Sequence, residues 1–337
     1  MVAVSNFGSF EGKRVDQFHL ISDSGVEVDI INWGVVVRDW RVPVKGGGKR
    51  SVVLGFDSFE PYPLHSPYFG AAVGRVANRI GNARFTLDGK TYSIPPNEGK
   101  NALHGGAGSW GKQVWDAAPD DRANAVTFSI NSPDGAMGFP GNVKATATYS
   151  LHGSRLRLEF AATIDRPGPV SLVQHQYFNL GTGADVLDHR YWLRSHAYTE
   201  VGEGLIPTGN ILEAAPGSKW DWSAPKTLRD ANGAAIDYDG NTVLDAGRDF
   251  KDPIAIVTAP SNDLTLKLWS DQPGLQFYNA IYTNIPVPGL GGKSYKKNCG
   301  FCLEDQAFPD AVNHPQFPSI IVTPDKPYSH WCEFEIA

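Results

Sequence analysis

The stretch Val143–Phe160, VKATATYSLHGSRLRLEF, decides the fold class. Val143, Ala145, Ala147, Tyr149 and Leu151 occupy alternate positions, and Leu156, Leu158 and Phe160 do so again after the polar break at His152, Gly153 and Ser154. A period of two puts successive side chains on opposite faces of an extended chain, so each half reads as a strand with one apolar face and the pair as a hairpin. Outward from this hairpin the same signal returns in GVEVDIINWGVVVRDWRV (residues 25–42), LTLKLWS (264–270) and LQFYNAIYT (275–283). RFTLDGKTYSI (84–94) adds a second hairpin, because Asp88-Gly89 tolerates the positive φ angles of a tight two-residue turn.

No dozen-residue window repeats apolar residues at i, i+3, i+4 and i+7, and 36 glycines and 24 prolines punctuate the chain throughout, so helix content should be low. There is no fixed-period repeat, low-complexity linker or break in composition between the halves. The expectation is an all-β protein: one large antiparallel β-sandwich domain over residues 1–337, with long connections. Such connections often carry function.

Composition narrows the function classes. The apolar fraction of 41% and charged fraction of 20% suit a globular chain with a large core. No apolar run approaches the roughly 18 residues of a membrane-spanning helix, and a formal charge of −6 with scattered basic residues argues against nucleic-acid binding. The start, MVAVSNFGSF, lacks the basic and apolar segments of a secretory signal, which makes cytoplasm the expected compartment. Three cysteines are too few for a disulfide framework. Cys299 and Cys302 form a lone C-x-x-C without the further ligands of a closed zinc site, so they read as buried thiols.

One segment is a decoy. NEGKNALHGGAGSWGK (97–112) contains G-x-G-x-x-G and misses a phosphate-loop signature by one residue, Gln113, where a hydroxyl is required. It also lacks the preceding buried strand and the following helix that would aim amides at phosphates. The glycines fit a tight loop that brings backbone close to a small ligand, with His104 at its mouth.

Five elements together resemble the galactose mutarotase (aldose 1-epimerase) family: GRVANRI (74–80), LHGG (103–106), HQYFNL (175–180), GLIPTG (204–209) and CLEDQAFPDAVNHPQFP (302–318). Their order and spacing match the family over nearly the whole chain. The resemblance implies a single β-supersandwich that interconverts the α and β anomers of a free aldose, with neither cofactor nor metal, as a monomer or homodimer. It makes Glu304 the general base, His175 the general acid and His104 a second active-site histidine near the ring oxygen. Asn78, Arg79, Tyr177, Asp239 and Gln276 would contact sugar hydroxyls.

Two departures stand out. Gln174 and Gln176 flank His175 where relatives often carry other residues, which would alter the pocket edge. Gly240 follows Asp239 where an Asp-His pair is common, and Asp237 is a nearby competitor for the acidic contact.

The chemistry explains the residue types. A base takes the C1 hydroxyl proton while an acid protonates the ring oxygen, rotation about C1–C2 follows, and closure uses the same two groups in exchanged roles. An ionised glutamate and a protonated histidine are needed together, and nearby carboxylates should raise the His175 pKa.

Judged without the resemblance, His104 reads equally as a loop-capping residue, His175 as a satisfied core histidine, Arg79 as a surface ion pair and Glu304 as a strand residue facing solvent. His314, Trp110 and Trp115 read as structural. Other functional readings are a non-catalytic sugar-binding protein on the same fold, a glycoside hydrolase using Glu304 and Asp239, and an enzyme for sugar phosphates using Arg75 and Arg79.

Overall fold

The computed structural model describes residues 1–337. Strands dominate, and the one α-helix, Pro61–His65, is five residues long. The hairpin read from the sequence forms as expected: strands Val143–His152 and Arg155–Ile164 pair antiparallel, with Leu151 opposite Leu156. Asp88 and Gly89 turn the second hairpin at φ values of 51° and 75°.

Three sheets make up most of the molecule. One has eight strands, ordered Asp116–Asp120, Ala125–Ser132, Val143–His152, Arg155–Ile164, Tyr328–Ile336, Thr265–Ser270, Ala255–Thr258 and Arg190–Leu193. A five-stranded sheet runs Pro207–Glu213, Ser195–Val201, Asp239–Leu244, Gly274–Tyr278 and Cys302–Gln306. The other five-stranded sheet is an N-terminal meander from Ala3 to Ser51. Within all three every pairing is antiparallel. One apolar cluster draws on each of them, through Val28 and Trp40, Leu158 and Phe334, and Leu275 and Leu303. Burying such side chains contributes about 1.5–3 kcal/mol apiece. Trp110 and Trp115 belong to this cluster, as their sequence context suggested.

The strand Cys302–Gln306 positions the site. All five of its residues are buried, as happens when both faces of a strand are covered. Leu303 joins the cluster between the sheets, and Asp305 meets Ser270 and His330 of the eight-stranded sheet. Alternation then sends Glu304 to the opposite side, toward the loops.

Candidate active site

Glu304 stands opposite Gln276 in the pairing of Cys302–Gln306 with Gly274–Tyr278, and Asp239 stands opposite Tyr278 one strand further on. These side chains form the floor of a cavity of about 190 Å3. Drug-sized ligands fill roughly 300–1,000 Å3, so this space suits a smaller molecule such as one sugar ring.

Short irregular segments supply the walls. His175 ends the strand Val173–His175, which pairs with Ala71–Val73. Asn78 and Arg79 lead into a two-residue pairing in which Leu103 lies opposite Arg79, and His104 follows directly. His104 and Asn78 adopt left-handed backbone with φ of 52° and 56°, a conformation uncommon outside glycine that often marks functional sites. Gly105 is required here: a Cβ would lie 2.2 Å from the Gly74 carbonyl oxygen. The glycines of LHGG thus serve close backbone packing, and no helix of useful length follows them.

All eight residues singled out in the sequence line this one cavity. His175 Nε2 lies 3.6 Å from Glu304 Oε2, with both side chains almost fully buried. Neither His175 Nδ1 nor Glu304 Oε2 has a hydrogen-bond partner, an unusual condition for buried polar atoms. The His175 ring stacks on Tyr177 at 5.0 Å and meets His104 edge-on at 5.1 Å. Gln276 Nε2 donates to Asp239 Oδ1 at 2.6 Å. Arg79 donates through Nε and Nη2 to the two oxygens of Glu98, both at 2.7 Å, and its Nη2 is 3.7 Å from Asp239.

The His104 tautomer is set by the backbone. Asn78 N–H donates to His104 Nδ1 at 3.2 Å. A neutral imidazole has one acceptor nitrogen, so the proton resides on Nε2, which is a donor. Burial, aided by the charges of His175 and Arg79, holds the His104 pKa well below the ordinary histidine value and keeps that neutral form. The same bond bears on metal binding. His104, His175 and Glu304 each offer an atom within 4.8 Å of the others, a plausible three-ligand spacing. Ligation through His104 Nε2 would need its lone pair there, which conflicts with the amide at Nδ1.

Several sequence expectations require correction. The carboxylates do not raise the His175 pKa; burial lowers it to about 4. Burial raises Glu304 well above the usual carboxylate range, and the charges of Asp239 and Asp305 add to this. The physical reason is that isolated charges are disfavoured in an enclosed, desolvated site. Burial thus favours the neutral form of each partner over the ion pair.

Gln174 and Gln176 do not edge the cavity. Gln174 donates to the Leu303 carbonyl, and Gln176 reaches toward Tyr149 of the eight-stranded sheet, behind His175. Tyr177 lines the cavity, but its hydroxyl donates to the Pro67 carbonyl, so its ring supports His175. At Gly240 a Cβ would collide with Trp220 at 2.6 Å, so that indole occupies the space a larger side chain would claim. Asp237 lies outside the cavity, paired with Lys297.

Other sequence candidates are structural. Arg75 is buried, donating to the carbonyls of Pro140 and Gly141 and to the Ser132 hydroxyl. His314 donates to the Pro207 carbonyl. Cys299 and Cys302 are free, buried thiols, and burial pushes Cys299 up to about 12.

Six lining residues were not singled out in the sequence, four of them polar or aromatic: Tyr68, Glu98, Tyr278 and Tyr282. Tyr278 had a usable signal, lying two residues after Gln276 on an alternating strand. Tyr68 and Glu98 reach the cavity from loops without periodicity.

Comparison with known proteins places this geometry. The family model described as aldose 1-epimerase matches residues 16–335. The galactose mutarotase of Rattus norvegicus is 41% identical over 332 residues, covering 97% of this chain and 96% of the relative. The aldose 1-epimerase of Escherichia coli is 34% identical over 335 residues, covering 96% of each. An aldose epimerase homologue from C. elegans superposes with a TM-score of 0.89 at 26% identity, covering 95% of this chain and 98% of that one. With this span of sequence and fold, the chain belongs to the aldose 1-epimerase family.

Proposed function

We propose that Glu304 and His175 interconvert the anomers of a free monosaccharide as the proton-transfer pair of an aldose 1-epimerase. The observation that carries this reading is the buried pair at 3.6 Å, with Glu304 Oε2 and His175 Nδ1 unpartnered in a sugar-sized cavity. Carboxylate Glu304 takes the C1 hydroxyl proton, the C1–O5 bond breaks, and imidazolium His175 delivers its proton to O5. The product is an open-chain aldehyde beside neutral Glu304 and neutral His175. Rotation about C1–C2 turns the other carbonyl face to the hydroxyl, and closure returns both protons by the reverse transfers.

This sequence gives the altered pKa values a purpose. Burial favours the neutral form of the pair, which is the form that accompanies the open-chain intermediate. The total proton count never changes, so no exchange with solvent is needed during a turnover. His104 contributes a fixed Nε2–H donor to the ring oxygen region. Asn78, Arg79, Asp239 and Gln276 offer groups to the remaining hydroxyls, while Tyr68 offers aromatic surface to the apolar C–H groups of a pyranose. The apolar cluster shared by the three sheets supports a single domain, and three free cysteines fit the reducing cytoplasm.

The test is polarimetric. Freshly dissolved α-D-galactose or α-D-glucose should reach its unchanged final rotation faster with the protein. His175→Ala and Glu304→Ala should each remove that acceleration. If no aldose in a panel of hexoses and pentoses responds, while a sugar binds measurably at equilibrium, the catalytic reading fails and a sugar-binding protein replaces it.

A further inference from the structure

The charges around the cavity are unevenly distributed. Its lining holds one cation, Arg79, and three carboxyl groups, Glu98, Asp239 and Glu304. The Arg79 charge is already compensated, because Glu98 accepts from its Nε and Nη2 in a two-pronged bond at 2.7 Å for each contact. Two-pronged guanidinium–carboxylate bonds are the strongest ordinary pairing that Arg makes, and the carboxylate cancels the charge that would attract an anionic substituent. Nearby lysines are engaged outside the cavity: Lys112 over the Tyr68 ring, Lys219 over Trp220, and Lys100 beside Glu203.

We propose that Glu98 is the residue that sets charge selectivity: by neutralising Arg79 it excludes aldoses bearing a carboxylate or phosphate, while neutral and ammonium-bearing aldoses are admitted. The inference rests on the mutarotase reading and adds to it a substrate class and the residue responsible. A uronate entering the site meets like charge on the largely buried Asp239, while the one cation of the lining, Arg79, is already compensated by Glu98, and like-charge placement in a desolvated site is strongly unfavourable. An amino sugar meets the opposite field. Glu98 is well suited to substitution, since its side chain is 35% exposed and lies on a loop.

The experiment compares kcat/KM by polarimetry for D-galactose, D-galacturonate, D-galacturonamide and D-galactosamine, at a pH where the amine is protonated. Galactose is the internal control: failure there defeats the mutarotase reading itself. Given galactose turnover, galacturonate should be at least about tenfold poorer, mainly through KM. The uncharged, similarly shaped galacturonamide and galactosamine should stay within about tenfold of galactose. In Glu98→Gln the galactose-to-galacturonate ratio should shrink by about tenfold. Equal turnover of galacturonate and galactose by the unaltered protein overturns the proposal. So does rejection of galacturonamide as strong as that of galacturonate, since shape then accounts for selectivity, and so does an unchanged ratio in Glu98→Gln.

Discussion

Glu304 and Asp305 are consecutive on one strand, both carboxylates and both fully enclosed, yet their surroundings are opposite. Asp305 Oδ2 accepts from Ser270 Oγ and His330 Nε2, each at 2.6 Å, while its Oδ1 has no partner, and Tyr328 completes the network on His330 Nδ1 at 3.2 Å. Glu304 faces His175 at 3.6 Å, and its Oε2 has no hydrogen-bond partner. A buried carboxylate with good donors holds two sheets together, whereas one without them stays available for chemistry at a cost in stability. Both faces place a histidine near the carboxylate, so distance and hydrogen bonding, more than residue type, separate structure from function here.

Substituting each carboxylate in turn is the most forceful way to break the comparison. Glu304→Gln should reduce mutarotation by about 10²–10⁴, the usual worth of one positioned proton transfer. Its stability should move the other way. Because the folded Glu304 pKa lies above its unfolded value, the penalty is absent at low pH and grows as pH rises from the unfolded toward the folded value. Glu304→Gln should therefore gain about 1–2 kcal/mol over the unaltered protein in urea melts at pH 8 and almost nothing at pH 4. An equal gain at both pH values would contradict the burial argument.

Asp305→Ala should do the reverse, losing about 3–5 kcal/mol because His330 and Ser270 are left without their acceptor. Asp305→Asn, which keeps an acceptor oxygen, should lose less. If chemical denaturation showed Asp305→Ala to be as stable as the parent, the hydrogen-bonded side of the strand would not be holding the sheets. A smaller effect tests the support of the acid. Tyr177→Phe removes the bond to the Pro67 carbonyl and should cost about 0.5–1.5 kcal/mol, leaving the ring beneath His175 and most of the polarimetric rate intact.

The two faces also differ in how readable they were. The strands were legible because alternation is local: Val143–Phe160 carries its pairing within one stretch, and the structure closes it with Leu151 opposite Leu156. The members of the site come from distant segments, and nothing in their spacing brings His104, His175 and Glu304 together. Resemblance to a family supplied that grouping. The protonation state was misread because sequence shows which charges are neighbours in a motif but not how deeply they are enclosed; for His175, burial outweighs nearby carboxylates. Glu98 lay in full view six residues before His104, yet its bond to Arg79 depends on a loop whose course no periodicity encodes. The Asp305–His330 contact, which joins strands from different sheets, left no mark in the motif CLEDQ.

The central claim is that Glu304 and His175 work as one buried pair that carries a single proton during turnover, and the pH dependence of kcat/KM for α-D-galactose tests it most directly. The active state is lost at the acid end when His175 also takes a proton, near its value of about 4. It is lost at the alkaline end only when the shared proton departs, which burial of Glu304 delays. The account predicts an acid limb near about 4 and an alkaline limb set by the buried Glu304 and displaced upward from the ordinary glutamate value. An alkaline limb no higher than about 4.3, the ordinary glutamate value, would contradict it.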